Sequence, residues 1–338
     1  MDMKQLEKLM KGKRVLFFTT KNLSYLRNVQ EIKFIGQFGK QCKIIGSEHK
    51  SYLVRVLKLY FMGLIGFITF RPEVIFIGFA PQLVLPFLWI FKKLHKTVVV
   101  DFFISLYDTM IDDRKRFREK SLPAHLLYWL DKKTLYLADY YIVDTKADKE
   151  FFSQTFQADS KKGCVWYLCA DASVYYPLNS PKRREWNDKF VVLYFGSILP
   201  LQGVEVVLEA IHRLQNNKTL QFVIIGPIDK LKNADLVKGQ KKVAFYTWLS
   251  QGELAEKISM ADLCLAGHFD GNIGKAKRTI PGKAYIYSAM EKKMILGDSP
   301  ANHELYREEE ENVYFVTQGD AEALAAKIEE LAREGGYV

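Results

Sequence analysis

Residues 190–214 read FVVLYFGSILPLQGVEVVLEAIHRL. The run from Phe190 to Phe195 is continuously apolar and rich in β-branched and aromatic side chains, the pattern of a strand covered on both faces. Gly196 to Gly203 is a glycine-bounded loop, and from Val204 the apolar positions Val207, Leu208, Ile211 and Leu214 recur at helical period. Strand, loop and helix in that order form one βα unit. Repeated along a chain, such units predict a parallel, doubly wound sheet.

The pattern recurs in both directions. Downstream, the strand-like runs are Gln221–Gly226, Val243–Tyr246, Asp262–Ala266, Lys293–Gly297 and Asn312–Val316. Upstream they are Val15–Thr19, Cys42–Gly46, Glu73–Phe79, Thr97–Asp101, Tyr140–Asp144 and Cys164–Leu168. Six in each half predict an α/β chain of two similar doubly wound, Rossmann-like domains. The stretch Tyr176-Pro177-Leu178-Asn179-Ser180-Pro181-Lys182-Arg183-Arg184 carries two prolines and a charge run, and reads as a connection. The predicted division is a first domain over 1–176, a linker over 177–189 and a second domain over 190–338. Two further helices are signalled by a capping box at Ser250-Gln251-Gly252-Glu253 and by Asp320 ahead of Ala321–Arg333.

Composition narrows the function. At 338 residues, with 26% charged and 49% hydrophobic residues, the chain is neither disordered nor of low complexity. The four cysteines, Cys42, Cys164, Cys169 and Cys264, form no CxxC pair and read as reduced thiols, and no metal-ligand cluster stands out. Residues 1–162 hold 28 Lys+Arg and 16 Asp+Glu, while 163–338 hold 21 and 23. A basic first half predicts an anionic partner. Nucleic acid and an anionic membrane leaflet both fit that charge, and the absence of a recognised nucleic-acid motif ranks nucleic acid lower. No apolar leader precedes Lys11, so the expected location is the cytoplasm, or the inner face of the membrane as a peripheral protein.

The longest apolar stretch, Leu53–Phe70, contains Arg55 and Lys58 and is followed by Pro72. Its uninterrupted part, Leu59–Phe70, has 12 residues, short of the roughly 20 that cross hydrocarbon. It reads as a buried helix, with an interfacial helix as the other reading. Phe87–Lys93 reads as a core helix ending in solvated lysines.

Two segments carry candidate chemistry. Gly196 to Gly203, before a helix, would leave free amides aimed at one spot, a generic anion site, although such glycines also serve simply to turn the chain. The run Lys275-Ala276-Lys277-Arg278-Thr279-Ile280-Pro281-Gly282-Lys283 opens a helix. Lys283 falls in its first turn, where the helix dipole disfavours a cation, so the cluster makes sense around an anion such as a diphosphate. Asp101, at the end of Val98-Val99-Val100, reads either as a group that binds sugar hydroxyls or takes a proton, or as a cap or ion-paired carboxylate. His268, beside Phe269 and Asp270, reads as structural or as a contact to sugar or phosphate.

These segments resemble a known family. Gly196…Gln202-Gly203 with Val204, Leu208 and Ala210 is similar to the G-x5-K-G…L…A segment of retaining glycosyltransferases of family 4, which have the GT-B fold. Thr247-Trp248-Leu249-Ser250…Leu254…Ala261-Asp262 and Arg278-x-Ile280-Pro281-Gly282-Lys283-x-Tyr285…Ala289 resemble two further stretches of that family, and Ala138-Asp139…Asp144 and Tyr176-Pro177 resemble parts of its first domain. The resemblance implies two Rossmann-like domains facing a cleft. It implies a nucleotide diphospho-sugar as donor substrate, a glycan or lipid-linked acceptor held by the first domain, and neither cofactor nor metal. Carried over by position, Gly196 and Gly203 border the diphosphate and Lys283 contacts its oxygens. Together with the reading of the residues, this gives Gly196, Ser197, Gln202, Gly203, Lys275, Lys277, Pro281, Gly282 and His268 as expected donor-binding residues, and Asp101, Arg278 and Lys283 as expected catalytic ones. Ser105 and Asp108 fall in a similar segment of one branch. The match departs from the pattern at Gln202, where a lysine is usual, and at Arg278 and Ile286, where a pair of glutamates is usual. These departures keep open a second expectation, a catalytically silent relative that binds a ligand or partners an active enzyme. The chain also ends at Val338, soon after the Asp320 helix, where GT-B enzymes often carry a further helix crossing back to the first domain.

Overall fold

The computed structural model describes residues 1–228, 231–307 and 312–337, with Lys232 described by its backbone. Two compact units meet in the sequence at Cys169 and Ala170.

Along the first unit come α1 (Met3–Met10), β1 (Arg14–Phe18), α2 (Leu26–Phe38), β2 (Gln41–Ile45), α3 (Tyr52–Phe70), β3 (Val74–Ile77), α4 (Leu85–Lys93), β4 (Thr97–Asp101), a short α5 (Leu106–Asp108), α6 (Leu122–Leu137), β5 (Tyr140–Val143), α7 (Lys146–Phe156) and β6 (Gly163–Val165). The strands lie in the order β2-β1-β3-β4-β5-β6, and every pairing is parallel. Parallel neighbours require crossover connections, which the helices supply. Apolar side chains of α1 and α2 cover one face of the sheet with Val15, Phe17, Val74 and Phe76. Those of α3, α4, α6 and α7 cover the other with Leu16, Phe18, Ile75 and Ile77. Successive strand residues point to opposite faces, so a run such as Val74–Ile77 must be apolar throughout.

The second unit runs β7 (Phe190–Phe195), α8 (Val204–Arg213), β8 (Leu220–Ile225), β9 (Val243–Tyr246), α9 (Gln251–Met260), β10 (Leu263–Gly267), α10 (Gly274–Arg278), α11 (Gly282–Ala289), β11 (Met294–Gly297), β12 (Val313–Val316) and α12 (Ala321–Glu334). Its order is β12-β11-β10-β7-β8-β9, again all parallel. Both α/β units are doubly wound, as the alternating pattern predicts. Ser250 and Glu253 form the reciprocal capping box of α9, and Asp320 caps α12.

Two expectations change. The helix α3 is not buried. Only Leu59, Gly63 and Gly66 are, while Phe61 is 70% and Ile68 62% exposed. The physical reason is its glycine face. A Cβ on Gly63 would meet Phe18 at 2.5 Å and one on Gly66 would meet Ile45 at 2.5 Å, so the two glycines let the backbone lie against the sheet while the large side chains face outward. At 19 residues, α3 is long and apolar enough to cross a membrane by length and composition. In α4, Phe87, Leu88 and Phe91 are buried as expected, but Trp89 and Ile90 are exposed. The proposed linker also differs. The division falls at 169/170, and the Pro-rich stretch is docked on the second unit: Lys182 pairs with Asp262 at 2.5 Å and donates to the Tyr337 hydroxyl at 3.0 Å, and Trp186 is buried. All four cysteines are free thiols.

Candidate functional site

In open α/β sheets, ligands bind beyond the carboxyl ends of the strands, where the winding reverses. In the second unit that point lies between β7 and β10, the neighbours from which the order runs to β9 one way and β12 the other. After β7 comes Gly196, and β10 ends at Gly267, joined to His268 by a cis peptide bond. Lys283, in the first turn of α11, reaches this point. Its Nζ comes within 3.2 Å of where a Cβ on Gly196 would sit and 3.8 Å of the corresponding position on Gly267. Side chains at both places would crowd the ammonium, so the glycines make its seat.

The loop from β7 to α8 closes the same spot. Gly203 has φ +62°, and a Cβ there would lie 2.5 Å from the backbone nitrogen of Asp270. Only glycine fits both that backbone conformation and that approach. The Phe269 amide donates to the Gln202 carbonyl at 3.2 Å, which ties this loop to the segment after β10. Lys283 Nζ donates to Gln202 Oε1 at 2.5 Å and sits 4.3 Å from the centre of the Tyr194 ring. The Tyr194 hydroxyl, buried beside it, makes no hydrogen bond. No carboxylate pairs with Lys283 among the described residues. Burial therefore pulls its ammonium down to about 7. A cation held by one neutral amide and one aromatic face at a helix N-terminus is short of negative charge.

His268 lies next to this group. Burial, then Lys283 and Lys275, push its imidazole down to about 3, so it is neutral at physiological pH. Its Nδ1 lies 3.3 Å from Thr279 Oγ1, and its carbonyl accepts from Gln318 Nε2 at 3.0 Å. His268 therefore brings no charge to an anion. Lys275 is near enough to act on it, whereas Lys277 and Ser197 are exposed. Arg278, half-buried, ends α10, and Pro281 N-caps α11 ahead of Gly282. The sequence reading missed Tyr194, Gly267, Thr279 and Gln318. Gly267 alone had a visible signal, a glycine ending an apolar strand. A concavity of about 400 Å³ opens beside Gly203, between Leu199, Val204, Asp270 and Asn272. A larger one, about 780 Å³, lies at the amino ends of β7 to β9 around Lys189, Leu220 and Lys242, away from Lys283. Volume does not mark the chemistry here.

Asp101 takes the ion-paired form of its two readings. It is fully buried, and its oxygens accept from Arg27 Nε at 3.1 Å and Nη2 at 3.2 Å. Arg27 also donates to the Trp166 carbonyl at 2.6 Å and lies 3.8 Å from both Glu31 and Asp144. Burial opposes the charge on Arg27, but Asp101, Asp144 and Glu31 together outweigh it and raise its pKa. Burial, then Asp101, hold the Glu31 carboxyl well above the usual carboxylate range. With both oxygens on one guanidinium, Asp101 is placed to hold Arg27 rather than to take a proton from a substrate. Ser105 is likewise engaged: it donates to Asp131 at 2.7 Å and accepts from the Asp108 amide at 3.0 Å. Burial pushes Asp131 up to about 6 against four hydrogen bonds, from Ser105, Tyr107, Gln82 and Leu106.

Comparison with known proteins agrees with this geometry. Residues 189–334 match the family described as glycosyl transferases group 1. The chain is similar to the probable glycosyltransferase WbjE of Pseudomonas aeruginosa, at 29% identity over 114 residues, 33% of this chain and 28% of that protein. The matched stretch thus spans little more than a quarter of that relative. Among solved structures, sucrose-phosphate synthase of Thermosynechococcus elongatus superposes with a TM-score of 0.70 at 14% identity, covering 96% of this chain and 91% of that one. HepE of Anabaena, solved in complex with UDP, gives 0.66 at 12% identity over the same shares. The Escherichia coli protein described as trehalose-6-phosphate, bound with UDP-2-fluoro glucose, gives 0.65 at 11% identity, covering 94% and 91%. Two six-stranded parallel sheets of this kind are the GT-B fold. The match to glycosyl transferases group 1 covers the second unit, and the likeness to GT-B structures covers both units.

Proposed function

We propose that the protein transfers a sugar from a nucleotide diphospho-sugar to a glycan or lipid-linked acceptor, with retention of anomeric configuration and without a metal. One observation carries the reading: Lys283 is a buried cation at the ligand-binding end of the second sheet, without a carboxylate partner among the described residues. A diphosphate supplies the missing charge. As the bond between sugar and phosphate breaks, negative charge grows on the leaving diphosphate. Lys283 and the first-turn amides of α11 stabilise it, and they stabilise it more in the transition state than before. HepE, which has this fold, has been solved in complex with UDP and with UDP and glucose, which supports a nucleotide sugar as donor. Acceptor binding belongs to the first unit in this reading, and its basic composition suits work at the inner face of a membrane. Arg278 and Lys275 add charge near the donor, and Asp101 acts through Arg27 as a positioning residue.

Lys283→Ala is expected to lower transfer at least tenfold, about 1.4 kcal/mol of transition-state stabilisation. Turnover equal to that of the unsubstituted protein, measured with the donor identified from a panel of nucleotide sugars, removes Lys283 from the mechanism. Turnover unaltered by a chelator is the expected result for the metal-free reading. A second reading has its own support. Gln202 and Ile286 stand where the resembled family places a lysine and a glutamate. A silent GT-B relative would bind the donor calorimetrically while forming neither product nor hydrolysed sugar.

A further inference from the structure

We propose that the outer face of the layer formed by α3, α4 and α6 docks the protein flat onto an anionic lipid bilayer. Three stripes make up this face. On α3, Leu53, Leu57, Phe61, Leu64 and Ile68 are exposed and recur at helical spacing. On α4 the exposed residues are Trp89 and Ile90. On α6, Leu122, Leu126, Trp129 and Tyr136 recur in the same way.

The stripes share one side of the sheet. Tyr60 and Phe67 of α3 stack on Phe87 and Phe91 of α4 at 4.9 and 5.0 Å, and α4 in turn packs on α6. Inward-facing residues of all three helices join a single core on that face of the sheet. Apolar surface left outward on three adjacent helices is more than scattered exposure produces.

Charge selects the occupant. Across α3, α4 and α6 the only carboxylate is Asp131, which is fully buried. The same helices carry Arg55, Lys58, Lys92, Lys93, Lys132 and Lys133. Among the described residues Lys58, Lys93 and Lys133 form no ion pair, and Lys93 and Lys133 lie over exposed aromatics, at 3.7 Å from the Trp89 ring centre and 4.9 Å from that of Tyr136. A symmetric contact with a second copy would set these cations against one another with no acid to answer them. Nucleic acid would find phosphate partners but would bury the leucine, isoleucine and phenylalanine tips without gain. Lipid headgroups answer the lysines while the acyl boundary takes the apolar tips, and tryptophan and tyrosine favour that boundary. Because Leu59, Gly63 and Gly66 hold α3 against β1 and β2, the helix lies in the plane of the interface along its roughly 28 Å.

The proposal names the partner surface of the enzyme proposed above and rests on that reading only for which side of the membrane it meets. Vesicles without sugar donor or acceptor test it separately from transfer. Sedimentation of the full chain with phosphatidylcholine vesicles should show binding at least tenfold tighter once about a third of the lipid is phosphatidylglycerol. Phe61→Glu with Ile68→Glu should abolish that binding. Lys58→Glu with Lys93→Glu should remove the preference for anionic lipid, and all four positions are surface changes whose folding far-UV dichroism can verify. Brominated lipid should quench Trp89 and Trp129 fluorescence, with quenching lost in the Trp89→Phe, Trp129→Phe variant. Absence of binding, equal binding to neutral vesicles, or binding that survives both double variants overturns the proposal. A lipid-independent dimer that Phe61→Glu breaks overturns it in favour of a second copy.

Discussion

The two units wind the same kind of sheet and treat the charge at its carboxyl end in opposite ways. In the first, Arg27 is enclosed by Asp101, Asp144 and Glu31, so the cation is satisfied by the protein itself. In the second, Lys283 has Gln202 and the face of Tyr194. A buried ion with every partner present is architecture, whereas one left short of countercharge is a candidate site for an anion. Their outer surfaces also differ. Tyr176, Phe245 and Trp248 are the large apolar side chains exposed on the second unit among its described residues, while the first exposes whole helical stripes.

The comparison breaks if the two cations respond alike to removal. Arg27→Met should cost about 3–5 kcal/mol in urea unfolding, because it strands buried carboxylates. Lys283→Met, which strands none, should leave unfolding unchanged or shift it to higher denaturant while transfer falls. Equal losses of stability would mean that Lys283 is a structural ion too. Next in size is Gly203→Ala. With φ at +62° and the Asp270 nitrogen 2.5 Å from the new methyl group, the loops after β7 and β10 must move apart. About 1–3 kcal/mol of stability should go, and donor affinity measured by calorimetry should fall with it.

The smallest effect is a dependence on pH. Folded Lys283 titrates at about 7, below the ordinary lysine value of 10.5. Between those values the unfolded chain holds more protons than the folded one, so this group makes stability rise with pH. The slope is at most about 1.4 kcal/mol per pH unit. Below 7 both forms are protonated and its contribution is flat. The difference between the unsubstituted protein and Lys283→Met, followed by urea unfolding from pH 7 to 10, isolates this slope. Donor affinity should move the other way, weakening as pH rises through 7 and the ammonium is lost. A pH-independent difference between the two proteins would show that Lys283 stays fully charged.

What could be read from residues alone was what depends on neighbours in sequence. Apolar runs placed all twelve strands within a few residues, and the Ser250–Glu253 and Asp320 caps are purely local. At the site, Gly196, Gly203, Gln202 and Lys283 were legible because glycines and a cation at a helix start break ordinary local preference. Tyr194 was not, since its side chain matters only through Lys283, far along the chain. The same limit hid the Arg27 cluster. Arg27 and Glu31 look like a solvated i, i+4 pair on α2, and only the approach of β4 and β5 turns them inward. The orientation of α3 was misjudged for another reason. A helix apolar on every side has no stripe to point it, and the telling signal was the three-residue spacing of Gly63 and Gly66.

The pairing of β7 with β10 bears on how the molecule is made. Val191 and Asp262, joined across that pair, stand 71 residues apart. A ribosome delivers β7 and β8 well before β10 exists, and the nascent chain carries a bare, apolar strand edge in the meantime. Parallel sheets of this sort close late, and an unpaired edge invites aggregation. The two strands whose flanking glycines seat Lys283 are thus the last central neighbours to meet, so that seat is assembled only once most of the second unit has left the exit tunnel.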